Sequence, residues 1–399
     1  MPRPLAVALT VLFLLGAPLI ASPLGDFAPP LALLLVLPPI AVGLSALGWG
    51  RWVGERLRRG VAARGRPAAL FLLWSAVSAL LSLDVAAVAA ADVGLEVAGD
   101  DPTERDLQLR AAVLGSNLGS LLFPFSNLTN LLLIAATGIS FTAYVEAALA
   151  PQVVVVVVGA VVLLLAGRRR LAHLVDVVPT SQEVVRTPAR AAGAAAPAGE
   201  GRATAFGAPA IVAGIAAAAA SVGAVATGLA GGPVDVVFAL AAAVIVGAAL
   251  LAGVAEPRPV LRSIPISGVI LIVGSALLVE PVRDLARGLP SAPTGTSPAD
   301  LLVVTLVGGA LAAIVNNLPA AAFGAVWLAG ADPVTIVAYL VGTDVMCVLT
   351  AHGSLATMLV HAVAERRGHP VRRRHYLRHA WRDTLLAVGA ALLALILFR

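Results

Sequence analysis

The sequence predicts an all-α polytopic membrane protein made of inverted repeats, each with one helical hairpin and one broken transmembrane helix. Three observations predict it. First, 59% of the 399 residues are hydrophobic and only 12% charged, with a mean hydropathy of +0.96, whereas soluble domains carry roughly 25% charged residues. Second, apolar runs long enough to cross a bilayer recur along the whole chain,. Third, two stretches in corresponding places, 115–130 and 342–357, break the apolar pattern with Gly, Pro and small hydroxyl or amide residues. Backbone breaks survive in hydrocarbon only where protein or a wet cavity satisfies them, and paired breaks point to a transporter's binding site.

In chain order, full spans are expected at 5–24, 27–48, 141–166, 206–230, 233–253, 264–280 and 381–398. The first carries Arg3 and no small-x-small site after it, so it reads as a span rather than a cleaved signal,. Segments 67–97 and 301–330 each hold a polar break, Ser82-Leu83-Asp84 and Asn316-Asn317-Leu318-Pro319. The pieces beside each break are too short to cross ~30 Å of hydrocarbon at ~1.5 Å per residue. Hairpins are the economical reading, and kinked full spans the alternative. Segments 107–138 and 333–360 are the broken helices. The first membrane half is 1–170 and the second 206–399. Between them, 171–205 is rich in Ala, Gly, Pro and Arg and reads as a cytoplasmic linker,.

All 27 basic residues are Arg. With the N-terminus inside, 24 of them fall on the cytoplasmic side, and only Arg283, Arg287 and Arg399 lie outside,. The two hairpins then open to opposite sides. A shift of 227 places Gly115 on Gly342, Asn117 on Asp344 and Ser120 on Cys347; a shift of 233 places Asp84 on Asn317. Each half thus supplies one carboxylate and one carboxamide at its breaks.

A carboxylate in the membrane costs about 2.5–3.5 kcal/mol on insertion scales and is a functional candidate by default. Asp84 and Asp344 are the candidates for proton coupling; the bland reading is a carboxylate satisfying a helix end. Asn117, Ser126, Asn127, Thr129, Asn130, Asn316, Asn317, Thr350, Ser354 and Thr357 are the candidate substrate ligands, against the reading that they only satisfy broken backbone or pack helices. Asp92 and Glu96 read as solvated, and Glu146, Asp235 and Glu280 as interfacial. His352 lies in the second break without a symmetric counterpart. The single Cys347 excludes an internal disulfide or a multi-cysteine metal site and reads as a small hydrophobe,. The chain has no Lys and so no Walker-type loop,. No His-Glu-x-x-His helix is present, and no Gly-x-Ser reads with a distant membrane His as a rhomboid-like pair,. The sequence calls for no catalytic residue, metal or cofactor.

At these residues the chain resembles the arsenical pump membrane proteins of the ion transporter superfamily, which also holds divalent-anion/sodium symporters. The run Gly342-Thr343-Asp344 with Leu349-Thr350 and Gly353-Ser354-Leu355-Ala356-Thr357 is similar to that family's Gly-x-Asp-…-Leu-Thr-Pro-Ile-Gly-Ser-Leu-Ala-Thr signature. Ser126-Asn127-Leu128-Thr129-Asn130 resembles its Ser-Asn-Leu-x-Asn run, Asn316-Asn317-Leu318-Pro319 its Asn-Asn-x-Pro, and Asp84 the Asp of its Asn-Asp-x-Ala-Ala. Leu83 stands where the family has Asn, and Ala351-His352 replaces Pro-Ile.

The resemblance implies plasma-membrane efflux of arsenite or antimonite in exchange for protons, with a hairpin-bearing transport domain moving against a scaffold. The alternatives are an ion-coupled anion or dicarboxylate symporter and a sodium/proton antiporter. The expected partners are a small inorganic solute, a coupling ion (a proton before sodium) and the lipid bilayer. A homodimer and a soluble ATPase subunit are left open; nucleic acid is not expected.

Overall fold

The computed structural model describes residues 3–176, 207–277 and 291–398, apart from positions 267, 271, 275, 294 and 372. Among the described residues every regular element is a helix. Most of the expected linker, part of the 264–280 span, Glu280, Arg283 and Arg287 lie outside them.

Helices α1 (Arg3–Ala21) and α2 (Ala28–Ala46) are the first two spans. The arginine cluster that follows, expected as a loop, forms an amphipathic helix, α3 (Trp49–Gly60). Its Trp49 indole N–H donates to the Ala210 carbonyl, while Gly50 and Gly54 pack against Val93 and Glu96 of the first hairpin. The charge pattern marked the membrane edge; the helical spacing of Trp49, Val53 and Leu57 within it went unused.

The hairpin is α4 (Arg66–Leu80) and α5 (Leu83–Ala98), broken at Leu81-Ser82. Gly94 of α5 lies beside Leu70 of α4, so the arms run antiparallel about residue 82. The first broken helix follows: α6 (Pro102–Leu118), an unwound stretch with one 3₁₀ turn at Pro124–Ser126, then α7 (Leu128–Thr137). Helix α8 (Phe141–Asp176) closes the half and runs six residues into the expected linker.

In the second half α9 (Ala208–Leu229) and α10 (Val234–Leu251) are full spans, and α11 (Pro257–Arg262) is a short connector. The second hairpin is α12 (Pro298–Ile314) and α13 (Asn317–Trp327). Gly308 and Gly324 close on the same Tyr339 ring, which makes these arms antiparallel about residue 316. The second broken helix is α14 (Pro333–Leu340), a π turn at Val341–Val345, a 3₁₀ turn at Met346–Leu349, an extended stretch, then α15 (Leu355–Arg366). Helix α16 (Arg373–Phe398) ends the chain.

The apolar cores divide the molecule by body, not by half. One joins Leu14, Leu33, Ile40, Phe238 and Ile245 of α1, α2 and α10 with the inner face of α9. The other joins both hairpins, both broken helices, α8 and α16. The first core also takes in Leu81, Val85, Phe125, Leu128 and Leu318. These sit at the hairpin tips and the first break, so the tips are where the hairpin body meets the body that holds α1, α2, α9 and α10.

The repeat is visible in matched contacts. Gly115 packs on the Phe71 carbonyl, and Gly342, its equivalent at a shift of 227, packs on the Thr305 carbonyl. Gly119 closes on the Ser75 backbone; at the matching place Met346 closes on Gly309, with large and small exchanged. Tyr144 donates its hydroxyl to the Leu121 carbonyl, and Tyr376 to that of Val348. Helix α5 packs on α15 and α13 on α7, so each hairpin lies against the other half's broken helix.

Candidate functional site

Each break starts a new helix, and each new helix starts with a side-chain cap. Ser82 accepts from the Val85 N–H, Asn127 from Thr129, Asn316 from Leu318 and Ser354 from Ala356. Four helix N-termini are thereby formed at the two breaks and two hairpin tips, each with partial positive charge. A side-chain oxygen satisfies one of the free N–H groups that a helix start exposes, worth about 1 kcal/mol each. Asn127, Asn316 and Ser354 are therefore caps as well as candidate ligands. The caps also correct the register of the hairpin repeat: Ser82 and Asn316 match at a shift of 234, which sets Asn317 opposite Leu83 rather than Asp84.

Asn316 holds φ 136°, the one non-glycine residue with positive φ among those described. Such a conformation costs about 1–3 kcal/mol and persists only where the surroundings impose it. Here the Asn316 amide donates to the His352 carbonyl, and the Asn317 N–H donates to Gly353. The His352 ring in turn lies 3.2 Å from the Ile314 carbonyl, and Thr350 donates to Ala313. The tip of the second hairpin is thus laced to the second break.

The first break is satisfied internally. Ser126 donates to the Ser120 and Phe123 carbonyls, and Asn130 donates to the same two. Gln152 brackets the unwound backbone from α8, accepting from the Leu121 N–H at 2.9 Å and donating to the Leu118 carbonyl at 2.8 Å. Gln152 was missed in the sequence, although a lone amide beside Pro151 in a valine-rich span was the available signal. Ser120 donates to the Asn117 carbonyl, and the equivalent Cys347 thiol to the Asp344 carbonyl at 3.1 Å. Cys347 is a polar plug in its break, not only a small hydrophobe.

The two breaks meet across the halves. Thr129 donates to Asp344 Oδ1 at 2.7 Å, with Thr343 at 3.3 Å from the same oxygen. Asn117, the equivalent of Asp344, donates to Thr357 at 3.4 Å and lies 3.5 Å from the Cys347 sulfur. Each break therefore reaches the start of the other segment's second helix. Asp344 of the second half is bonded by Thr129 of the first, and Asn117 of the first bonds Thr357 of the second, because the broken segments cross. No hydrogen bond joins Asp84 to Asp344 among the described residues; Asp84 sits at the first hairpin tip, buried on α5.

Three oxygens here lack a hydrogen-bond donor: Asp84 Oδ1, Asn317 Oδ1 and Asp344 Oδ2. Buried polar atoms are nearly always satisfied, so each of these oxygens is a place for a water, ion or solute to bond. No basic side chain bonds either carboxylate among the described residues. Asp92 and Glu96 lie partly exposed, paired with Arg367 and Arg58.

Two hairpins whose capped tips meet two crossed, broken helices define a secondary transporter. That class is borne out at the level of sequence: residues 2–351 match the citrate transporter family, CitMHS. The chain belongs to that family. The likeness is thus to an ion-transporter-type family across most of the chain, and the arsenical pump family seen in the motifs is not itself matched. No curated protein matches the chain.

Proposed function

We propose that this transporter is a proton-coupled exchanger of the plasma membrane, exporting a small uncharged trihydroxy solute of the arsenite or antimonite class. One observation carries the reading. The crossing of the breaks offers a carboxyl, an amide, hydroxyls and a thiol, with no basic side chain bonded to the carboxylates among the described residues. A neutral solute with several hydroxyls can donate to the unpartnered Asn317 Oδ1 or Asp344 Oδ2 without bringing charge into low dielectric. A multiply charged anion near two carboxylates would be repelled unless a cation travelled with it. In this reading Asp84 and Asp344 carry the exchanged proton, and the N-terminus is cytoplasmic.

The second reading is a citrate-type carboxylate moved with a cation. The family's description and the four capped helix N-termini favour it, since helix N-termini bind anions,. Everted vesicles separate the two. Uptake of labelled arsenite that needs an inward-acid proton gradient supports the first reading. Accumulation of labelled citrate with a divalent cation, and none of arsenite, would replace it with the second.

A further inference from the structure

A cavity of about 440 Å³ lies between α6, α8 and α16, away from the crossing of the breaks. Its lining is largely apolar, with Leu165 and Leu386 exposed at its edge and the buried Val113 and Val348, the latter from the second break, on its inner side. Its rim carries Arg169 and Arg382, both exposed and in no ion pair among the described residues. Arg110 also lines it but is held by Asp383 through two bonds of 2.6 Å, and Asp106 contributes the other carboxylate. The volume falls within the roughly 300–1,000 Å³ of small-molecule sites.

The mouth continues into the bilayer-facing surface. On α8 the exposed Val153, Val157, Val161 and Leu165 fall at intervals of four and end at Arg169. On α16 the exposed Leu397, Leu393 and Leu386 end in the same way at Arg382. The helices are antiparallel: Leu395 and Phe398 meet Glu146 and Pro151 at one end, while both arginines share the cavity at the other. Two apolar stripes therefore run side by side along the helices and finish in two guanidinium groups over a pocket. A soluble anion would use the arginines and leave the stripes idle; an apolar molecule would do the reverse. A phospholipid uses both, its phosphate at the arginines and its chains along the stripes.

We propose that this cavity binds the headgroup and upper chain of an acidic phospholipid, whose acyl chains lie in the groove between α8 and α16. The ligand touches the back of the second break through the Val348 wall, where Tyr376 also bonds the Val348 carbonyl. It is independent of which solute the transporter carries.

The test is thermal unfolding of the purified full-length protein in neutral detergent, titrated with phosphatidylglycerol, with phosphatidylcholine of the same chains, and with inorganic phosphate. Each arginine near an acidic headgroup is worth about 1 kcal/mol, so phosphatidylglycerol should act at a roughly 30-fold lower concentration than phosphatidylcholine. Arg169→Gln with Arg382→Gln should bring the two lipids together while leaving the phosphatidylcholine response in place. Native mass spectrometry of the unmutated protein, scoring retained phosphatidylglycerol against phosphatidylcholine, reads the same preference without a variant. Equal action of the two lipids on the unmutated protein would overturn the proposal. So would an acidic-lipid preference that survives the double substitution, or stabilisation by inorganic phosphate to the same extent.

Discussion

Thr129 donates its hydroxyl to Asp344 across 215 residues of sequence at 2.7 Å, and this bond ties the first break to the second. Both partners are fully buried, so neither exchanges the bond for water. Thr129→Val keeps the shape and removes the donor. It should cost about 1–3 kcal/mol, the penalty of leaving a buried acceptor bare. Thr129→Ser should restore most of it. Unfolding temperature and transport rate, measured together on both variants, check this; a Val variant that matches the unmutated protein beside a weakened Ser variant would show that the methyl, not the hydroxyl, matters.

Close backbone approach sets a second expectation. An alanine methyl at Gly342 would strike the Thr305 carbonyl, whereas at Gly115 it would sit 3.0 Å from the Phe71 carbonyl. Overpacking of this kind costs about 1–3 kcal/mol, more when backbone must move. Gly342→Ala should therefore lose more folded protein than Gly115→Ala, scored as monodisperse yield after extraction.

The Arg110–Asp383 pair sets a third. Asp383 is 4% exposed at its side chain and Arg110 18%, with two parallel bonds between them. Breaking a buried pair by removing one charge costs about 3–5 kcal/mol, while replacing both partners together can be far milder. Arg110→Gln and Asp383→Asn should each lower the unfolding temperature sharply, and the double substitution less than the sum. Additive losses would mean that the two side chains act separately.

Much of this fold was legible because the bilayer makes composition and length informative. The spans, the two interruptions and the arginine bias depend on local sequence, and the breaks at Ser82 and Asn316 announce themselves as polar caps in apolar surroundings. What was not legible depends on crossing. Asn117 and Asp344 align in sequence as equivalents, yet alignment does not say that each reaches the other half's helix start. The Arg110–Asp383 pair spans 273 residues; Arg110 counted among the cytoplasmic arginines and Asp383 drew no reading, because nothing local marks either as half of a buried pair. The one-residue error in the hairpin register arose from matching polar residues; the helix caps, which fix backbone geometry, are the better ruler.

Caps and ligands can be told apart by what their removal changes. Asn127→Ala and Ser354→Ala each delete a cap and should cost about 1 kcal/mol of stability. Asn117→Ala and Asn317→Ala remove amides from the crossing and the second tip; Asn317 Oδ1 has no partner inside the protein to lose. Asn317→Ala should raise the apparent KM with little change in unfolding temperature, whereas Asn117→Ala also loses the amide's bonds to Val113 and Thr357 and should lower that temperature as well,. The Asn317→Ala result is the sharper one, and an unchanged KM there would remove Asn317 from the proposed binding set.

The two carboxylates give the last expectation. Asp344 has one oxygen engaged by Thr129 and Thr343 and the other bare; Asp84 has Oδ1 bare. A buried, ionised carboxylate with a bare oxygen is expensive, and no cationic side chain bonds either one among the described residues. In the proposed exchanger, the partner that each oxygen lacks is a proton or a transported cation. An exchanger needs that partner to leave when the solute arrives, so binding of the two must be coupled. Asn in place of Asp keeps the size and one acceptor but fixes the group as neutral. Asp84→Asn and Asp344→Asn should therefore fold and insert, bind solute, and fail to concentrate it against its gradient. The two sites need not fail alike. Asp344 sits in the crossing, so its substitution should also weaken solute binding, while Asp84, at the hairpin tip, should affect coupling with binding largely intact. Gradient-driven uptake and equilibrium binding, measured side by side in vesicles, separate these effects. If both variants accumulate solute at the unmutated rate, neither carboxylate carries the coupling ion, and His352, at the second break beside the Ile314 carbonyl, becomes the residue to substitute next.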